Sequence, residues 1–238
     1  MEILSLNQIS PDQVVLLQWG FIRITATLVY TWLIMTILIL GSWLVTRTIS
    51  SDMNPSRWQG LLEVVVSTIR DQIKEISHED PGYYLSFVGT LFLFVGLSNL
   101  LLIVPGYVAP TASLTTTAAL AICVFIAVPL YGITRHGIVH YVKEYFQPTF
   151  IFFPFHVMGE VTRTLALAVR LFGNMMSHDK VIAILLAVTP LFFPIVMHAL
   201  GLLIGLVQAY IFAILAMVYI ASATQAHEEK ENTDTGNK

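Results

Sequence analysis

Charged residues are scarce in this chain: only 11% of its 238 residues are Asp, Glu, Lys or Arg, and the formal net charge is −3. Soluble globular domains carry about 25% charged residues. The acidic balance argues against a nucleic-acid partner, because the phosphate backbone is bound through clustered Lys and Arg side chains. The low charge content indicates that most of the chain lies in an apolar environment.

Cysteine is almost absent as well. The single cysteine, Cys123, lies inside a long apolar run, so the sequence offers no disulfide and no cysteine-based metal site. We expect no cofactor and no bound metal. We expect no signal peptide either. The N-terminus carries Glu2 and Asp12 and lacks a basic segment, and the first apolar run is too long for the hydrophobic region of a signal peptide.

Apolar sequence is what the chain has in abundance: 56% of its residues are hydrophobic, and the mean hydropathy is +0.75. No Asp, Glu, Lys or Arg occurs in residues 81–134 or in residues 181–226. Both runs exceed the about 20 residues that a helix needs to cross a bilayer. The sequence therefore predicts an all-α polytopic membrane protein, with about five crossing helices and one amphipathic surface helix.

A single membrane domain over residues 1–238 is predicted. Lys and Arg concentrate in residues 46–80 and 135–147, and the positive-inside rule places both loops and the C-terminus on the cytoplasmic side. The predicted parts are an outer N-terminal segment (1–18), a first span (19–45), an amphipathic surface helix (57–77), a helical hairpin (83–134), a long ion-channel hairpin (155–224) and a polar, disordered cytoplasmic tail (225–238).

Arg170 lies in the middle of a hydrophobic stretch, where an arginine costs about 2.5–3.5 kcal/mol on insertion scales. Its guanidinium cannot lose its proton to escape that cost. At about 100° per residue, the nearest carboxylate on the same helix face is Glu160, about 15 Å away along the axis. Glu160 can pair with Arg163 instead. Arg170 is therefore predicted to lack a partner on its own helix. Its face, an arc of about 80°, also contains Leu167, Asn174 and His178.

The last apolar helix has a matching face. Gly201 and Gly205 form a small-xxx-small motif, which lets two membrane helices approach closely. A plain helix–helix contact would explain that motif equally well. Because Gln208 lies on the same face, we predict that this helix packs against the polar helix with Gln208 near Arg170. The face comprises His198, Gly201, Gly205, Gln208, Phe212, Leu215 and Tyr219.

Polar groups thus occur at two levels, with Arg170 between them. Glu160 and Arg163 lie near the cytoplasmic end of the helix. The outer end carries polar groups of its own. This arrangement suggests two ion half-channels separated by a fixed positive charge, with the ion-carrying carboxylate supplied by a partner. The predicted outer groups are His178, Asp179 and His198.

Two other functions are compatible with a polytopic membrane chain. An autonomous secondary transporter would show internal repeats or broken helices in matching halves. Neither is visible, because the polar residues concentrate in the last third of the chain. A structural scaffold gives no reason for Arg170.

The run from Thr164 to Asn174, Thr-Leu-Ala-Leu-Ala-Val-Arg-Leu-Phe-Gly-Asn, resembles the signature of subunit a of the F-type rotary ATP synthases. Gln208-Ala-Tyr-Ile-Phe212 resembles the last-helix motif of that family. The resemblance covers about residues 57–224. Further matching segments are Thr90–Phe94 with Ser98-Asn99, Pro110-Thr111 with Thr116–Ala121, and Gln147–Thr149.

The resemblance implies a non-catalytic stator subunit beside a rotating c-ring, in the membrane (Fo) sector and the plasma (inner) membrane of a bacterium. Peripheral-stalk b subunits and other membrane-sector subunits are the further partners it implies. Arg170 would be the essential arginine that faces the ring carboxylates and couples ion movement to rotation and ATP synthesis or hydrolysis. Asn174 and Gln208 would line the same surface, and Asp179 would line the outer half-channel. Glu160 and Arg163 match charged positions of the family on the entry side of the helix that carries Arg170.

The chain departs from the family pattern at two positions. Ser113 stands where many members carry an acid, and Gly201 stands where some carry His or Glu. We expect His178 or His198 to supply the lost polar group, and we treat His198 and Ser113 as candidate channel-lining residues. The segments Pro110–Leu114 and Met175–Asp179 resemble the alternate (N-type) bacterial branch, which is often associated with sodium. The resemblance therefore leaves both H⁺ and Na⁺ open as the transported ion.

Overall fold

The computed structural model describes residues 15–19, 22–47, 57–77, 81–104, 106–138, 153–188 and 193–235. These residues are almost entirely helical, which confirms the predicted all-α class. The predictions for residues 1–14 and 139–152 lie outside the described part. The helices are α1 (Ala26–Arg47), α2 (Arg57–Ser77), α3 (Gly82–Leu100), α4 (Leu114–His136), α5 (Phe153–Val188) and α6 (Phe193–Thr235), with short 3₁₀ turns at Leu101–Ile103 and Pro110–Ala112.

A short antiparallel hairpin precedes the first helix. Strand β1 (Val15–Trp19) pairs with strand β2 (Ile22–Thr25). Several of these residues are β-branched or aromatic, and such residues favour extended backbone. The prediction that the first span starts at residue 19 is therefore wrong, since the helix starts at Ala26.

Among the described residues, four helical segments are long and apolar enough to cross a membrane, which confirms a polytopic membrane protein. The fifth predicted crossing is α5, which is not one of these four. It carries five charged residues within its 36, and its crossing stays a prediction. The four segments are Ala26–Leu44, Gly82–Ile103, Leu114–Arg135 and Ile195–Thr224.

Helix α2 has the predicted amphipathic character. Ile73 is buried, and Ile69 is half-buried on the same side, where both join an apolar cluster with α3 and α6. Arg70 and Lys74 are exposed. The hydroxyl of Tyr210 in α6 donates a hydrogen bond to Oε1 of Gln72 at 2.8 Å. The apolar face of α2 therefore docks on the last helix, and its position at the membrane surface stays a prediction.

Two tyrosines hold the connection between α3 and α4. The hydroxyl of Tyr30 in α1 donates to the carbonyl of Gly106 at 3.2 Å, and that of Tyr107 donates to the carbonyl of Ser98 at 3.0 Å. Gly106 has φ +84°, a left-handed conformation that favours glycine. Burial raises the pKa of the Tyr107 phenol, so this hydroxyl remains a hydrogen-bond donor.

The main core lies where α3, α4, α5 and α6 meet. Helix α5 contributes its buried side to this core, and α6 packs extensively against α3. With 36 residues, α5 is about 54 Å long at 1.5 Å per residue, which exceeds the about 30 Å hydrocarbon core of a bilayer. The core side chains include Val95, Val124, Leu167, Leu171 and Phe212.

The last helix is longer than expected. Residues 225–238 were predicted to be a disordered tail, whereas α6 continues through Thr235. That prediction is wrong for residues 225–235. Six of these eleven residues are Glu, Ala, Gln or Lys, and no Gly or Pro occurs before Gly236. Such residues are good helix formers, and an established helix extends through them at little cost.

Candidate functional site

Arg170 is exposed on the outward side of α5. Leu167, which the helical spacing placed on the face of Arg170, is instead buried in the core together with Leu171. The guanidinium of Arg170 makes no ion pair or hydrogen bond with any residue that the structure describes. The helix therefore presents an uncompensated positive charge on an otherwise apolar surface, where Leu165 and Val169 are each 59% exposed. The predicted lack of a partner on its own helix agrees with this geometry.

Asn174 and Gln208 join α5 to α6. Nδ2 of Asn174 donates a hydrogen bond to Oε1 of Gln208 at 2.7 Å. Gln208 is only 2% exposed, and its Nε2 has no hydrogen-bond partner among the described residues. The sequence predicted Gln208 near Arg170. Its bonded neighbour is Asn174, one helical turn further along α5.

The predicted ion pair between Glu160 and Arg163 does not form. The two side chains are not within ion-pair distance, and the guanidinium of Arg163 lies over the ring of Tyr219 in α6, 5.8 Å from its centroid. An exposed i,i+3 ion pair contributes only about 0.2–0.5 kcal/mol, whereas a cation–π contact at an exposed site contributes about 0.5–1 kcal/mol. Arg163 therefore lies against the ring of Tyr219 in α6 rather than in direct contact with the carboxylate of Glu160.

The C-terminal half of α5 brings together the three polar groups that were predicted for the outer half-channel, and we call them the outer cluster: His178, Asp179 and His198. Nε2 of His178 lies 3.1 Å from the carbonyl oxygen of Met197, and its Nδ1 lies 3.7 Å from Oδ1 of Asp179. The rings of His178 and His198 have centroids 6.3 Å apart. The side chain of His178 is 9% exposed and that of Asp179 is 43% exposed, so the cluster runs from the helix interface to the surface.

Gly201 makes room for His178. A Cβ atom added at Gly201 would overlap the imidazole ring of His178, with Nε2 as its nearest atom. Gly201 therefore serves the predicted close contact with α5, whereas Gly205, the other residue of the small-xxx-small motif, faces Asn99 of α3 instead. The imidazole of His178 occupies the space beside Gly201. That it replaces the polar side chain which some family members carry on the last helix stays a prediction.

Ser113 contacts a residue outside the outer cluster. It is fully buried immediately before α4, where its hydroxyl is 2.6 Å from that of Thr115. Its role as a channel-lining residue stays a prediction.

Sequence reasoning missed one polar group near the site. Asn99 of α3 is 1% exposed and bonds to both Thr111 and the carbonyl of Gly205. The sequence feature that could have indicated this group is the polar pair Ser98-Asn99 inside an apolar run.

A family model described as ATP synthase A chain matches residues 28–221 of this chain. The chain belongs to the ATP synthase subunit a family. It is 54% identical over 227 residues to "ATP synthase subunit a 2" of Acaryochloris marina, an alignment that covers 95% of this chain and 97% of the relative. It is 56% identical over 223 residues to "ATP synthase subunit a" of Albidiferax ferrireducens, covering 94% and 96% of the two chains. A third relative, "ATP synthase subunit a 1" of Chlorobaculum parvum, is 55% identical over 221 residues, covering 93% and 98%.

Membership of the subunit a family confirms the resemblance that the arginine motif indicated. It makes the chain a multi-pass component of the membrane (Fo) sector of a rotary ATP synthase. The chain covers nearly the whole length of these relatives, so the family assignment applies to the full set of helices described above.

Proposed function

We propose that this chain is the non-catalytic stator of an F-type ATP synthase, which forms two ion half-channels against the rotating c-ring. The observation that carries the proposal is the exposed guanidinium of Arg170, which has no partner in the described part of the chain. A permanent charge on an outward apolar surface is costly unless it is paired or hydrated, and we infer that its partner comes from another chain. The carboxylates of the ring are the groups that this charge would meet in turn.

The electrostatics explain how one arginine serves rotation. At about 4 Å and an effective dielectric constant of about 20, two opposite unit charges attract by about 4 kcal/mol. Arg170 therefore favours the deprotonated form of a passing ring carboxylate. The attraction is lost once that carboxylate rebinds its ion, and the ring can then move on. The same positive charge repels a cation, so ions cannot move directly from one half-channel to the other.

The two half-channels would approach Arg170 from opposite ends of α5. The outer cluster starts eight residues beyond Arg170, about 12 Å along the axis, and Glu160 lies about 15 Å before it. His178, Asp179 and His198 would line the outer path, with Asp179 nearest the surface. Glu160 and Arg163 would line the other path, and Asn174 with Gln208 would border the ring-facing surface beside Arg170.

The surfaces away from Arg170 suit the remaining proposed partners. Helix α1 exposes much of its length, including Trp32 and Trp43, and few of its residues are buried. Such a helix suits contact with lipid or with the membrane helices of the peripheral-stalk b subunits. We place the complex in a bacterial plasma membrane with the C-terminus of α6 in the cytoplasm, because Lys and Arg concentrate in the loops on that side.

The variant Arg170→Ala tests this function in inverted membrane vesicles that contain the whole complex. We expect ATP-driven ion uptake to be abolished while the amount of assembled complex stays at the native level. Val169→Ala is the matched control, because Val169 is the adjacent exposed residue of the same helix and carries no charge. Full uptake by Arg170→Ala, or ion transport by the isolated chain, would overturn the proposal and would favour an autonomous transporter.

The transported ion is decided by a separate experiment, because the ring carboxylate belongs to another chain. ATP-driven sodium uptake is measured in the same vesicles with a protonophore present. Uptake that persists identifies Na⁺ as the coupling ion, as the N-type resemblance suggests. Loss of all ATP-driven transport under these conditions identifies H⁺, which the titratable outer cluster could relay.

A further inference from the structure

The buried side chain of Asn99 connects two parts of the chain that are distant in sequence. Its Nδ2 donates to the carbonyl oxygen of Gly205 in α6 at 2.8 Å. Its Oδ1 accepts a hydrogen bond of 2.7 Å from Oγ1 of Thr111, in the 3₁₀ turn before α4. Asn99 is 1% exposed and Thr111 is fully buried. Both polar ends of the amide are therefore used, and neither faces an open path.

Gly205 allows this contact. A Cβ atom added there would lie 2.8 Å from Cβ of Asn99, closer than such atoms approach in proteins, and at a tight 3.3 Å from its Cγ. The helical carbonyl of Gly205 has a second lone pair that can accept from Asn99 in addition to the helix. The glycine thus exposes the backbone of α6 to a side chain of α3, which any larger residue would prevent.

The turn that holds Thr111 also touches α5. Ala109 and Ala112 pack against Met175, the residue that follows Asn174. Gly205 in turn lies three residues before Gln208, about 4.5 Å along α6. A closed chain of contacts therefore runs from Gly205 through Asn99 and the turn to α5, and returns to α6 through the Asn174–Gln208 hydrogen bond.

We propose that Asn99 is a positioning residue: it fixes the height of α6 against α5, so that Gln208 meets Asn174 beside Arg170. The functional consequence rests on the proposed stator role of that surface. The amide acts through the backbone of α6 and does not contact the transported ion. Its geometry is set by hydrogen bonds, which are directional, whereas the apolar contacts around it would tolerate sliding of the two helices.

The test measures helix position and transport separately in the assembled complex. Cysteines are introduced at positions 174 and 208 in a Cys123→Ser background, and a short bifunctional thiol reagent reports how often the two positions meet. ATP-driven ion transport is measured separately, in complexes that carry the same test substitution but not the two introduced cysteines. Asn99→Leu keeps a similar size but can neither donate to the carbonyl of Gly205 nor accept from Thr111. We expect it to lower both cross-linking and ATP-driven transport by about threefold or more, the scale of one buried hydrogen bond.

Three further variants keep the test decisive where Asn99→Leu lowers assembly. Thr111→Val removes the hydroxyl donor and should also lower both measurements, and Thr111→Ser should restore them. Gly96→Ala is the steric control, because its added Cβ would lie at an ordinary 3.7 Å from Ala209. Unchanged cross-linking with lost transport would overturn the inference and would place Asn99 on the ion path. Reduced cross-linking with normal transport would support the positioning role but contradict the proposed function of the Asn174–Gln208 surface.

Discussion

The imidazole of His178 fills the space beside Gly201 that any larger side chain at that position would occupy. The same ring lies 3.1 Å from the carbonyl oxygen of Met197, so the contact is both steric and polar. The two residues come from different helices and fit as one unit. Beside Gly201, the polar side chain at the α5–α6 interface is therefore His178, which belongs to α5.

Gly201→Ala should damage this unit. The added methyl group would overlap the His178 ring, and overpacking of this kind costs about 1–3 kcal/mol. We expect ATP-driven ion uptake per assembled complex to fall by about tenfold, the equivalent of about 1.4 kcal/mol. In a His178→Ala background, the same substitution should have a much smaller additional effect.

The control for this experiment is Gly89→Ala, because no atom lies within 4 Å of a Cβ built at Gly89. It should leave uptake and assembly near their native levels. If Gly201→Ala causes the same loss whether or not His178 is present, the two residues do not act as the unit described here.

The Asn174–Gln208 hydrogen bond predicts non-additive effects of substitution. Either Asn174→Ala or Gln208→Ala removes the same bond, and the buried amide of Gln208 is left unsatisfied in the first case. We expect the double variant to transport ions about as slowly as the worse single variant, with a coupling energy of about 0.5–1.5 kcal/mol. Asn174→Ala combined with Tyr210→Phe is the control pair, because Tyr210 bonds to Gln72 instead. Additive losses in the Asn174–Gln208 pair would refute a functional hydrogen bond.

Arg170→Lys separates charge from shape. Lysine keeps a positive charge but lacks the planar fork of guanidinium, and it can lose its proton in an apolar environment. We expect ion-driven ATP synthesis to fall by about two orders of magnitude, the scale seen when one preorganised electrostatic group is lost. The measurement is ATP synthesis in energised vesicles, normalised to the assembled complex. Near-normal synthesis would mean that any positive charge at this position is sufficient.

The features that follow a local periodicity could be read from the sequence. The missing partner of Arg170 on its own helix follows from helical spacing and from the absence of a nearby carboxylate. The buried face of α6 that contains Gly201, Gly205 and Gln208 follows from the same argument. Hydropathy alone likewise identified the long apolar helices, because the cost of charge in a bilayer leaves a pattern that is visible in composition.

Contacts between distant segments could not be read in this way. Asn99 and Gly205 are 106 residues apart, and no spacing rule relates them. The position of Arg163 depended on the ring of Tyr219, which a rule for pairs within one helix does not consider. The end of α6 was misjudged for a different reason: its charged residues indicated solvent exposure, and exposure is compatible with a helix.

The central claim is that the charge of Arg170 keeps the two half-channels apart, and passive ion flow with an immobilised ring tests it most directly. The catalytic sector is removed from vesicles, the ring is cross-linked to the stator, and a voltage is applied. The native membrane sector should then conduct no ions, because rotation is blocked, and Val169→Ala should behave in the same way. Arg170→Ala should conduct ions under these conditions. A blocked Arg170→Ala complex that is as tight as the native one would contradict the account.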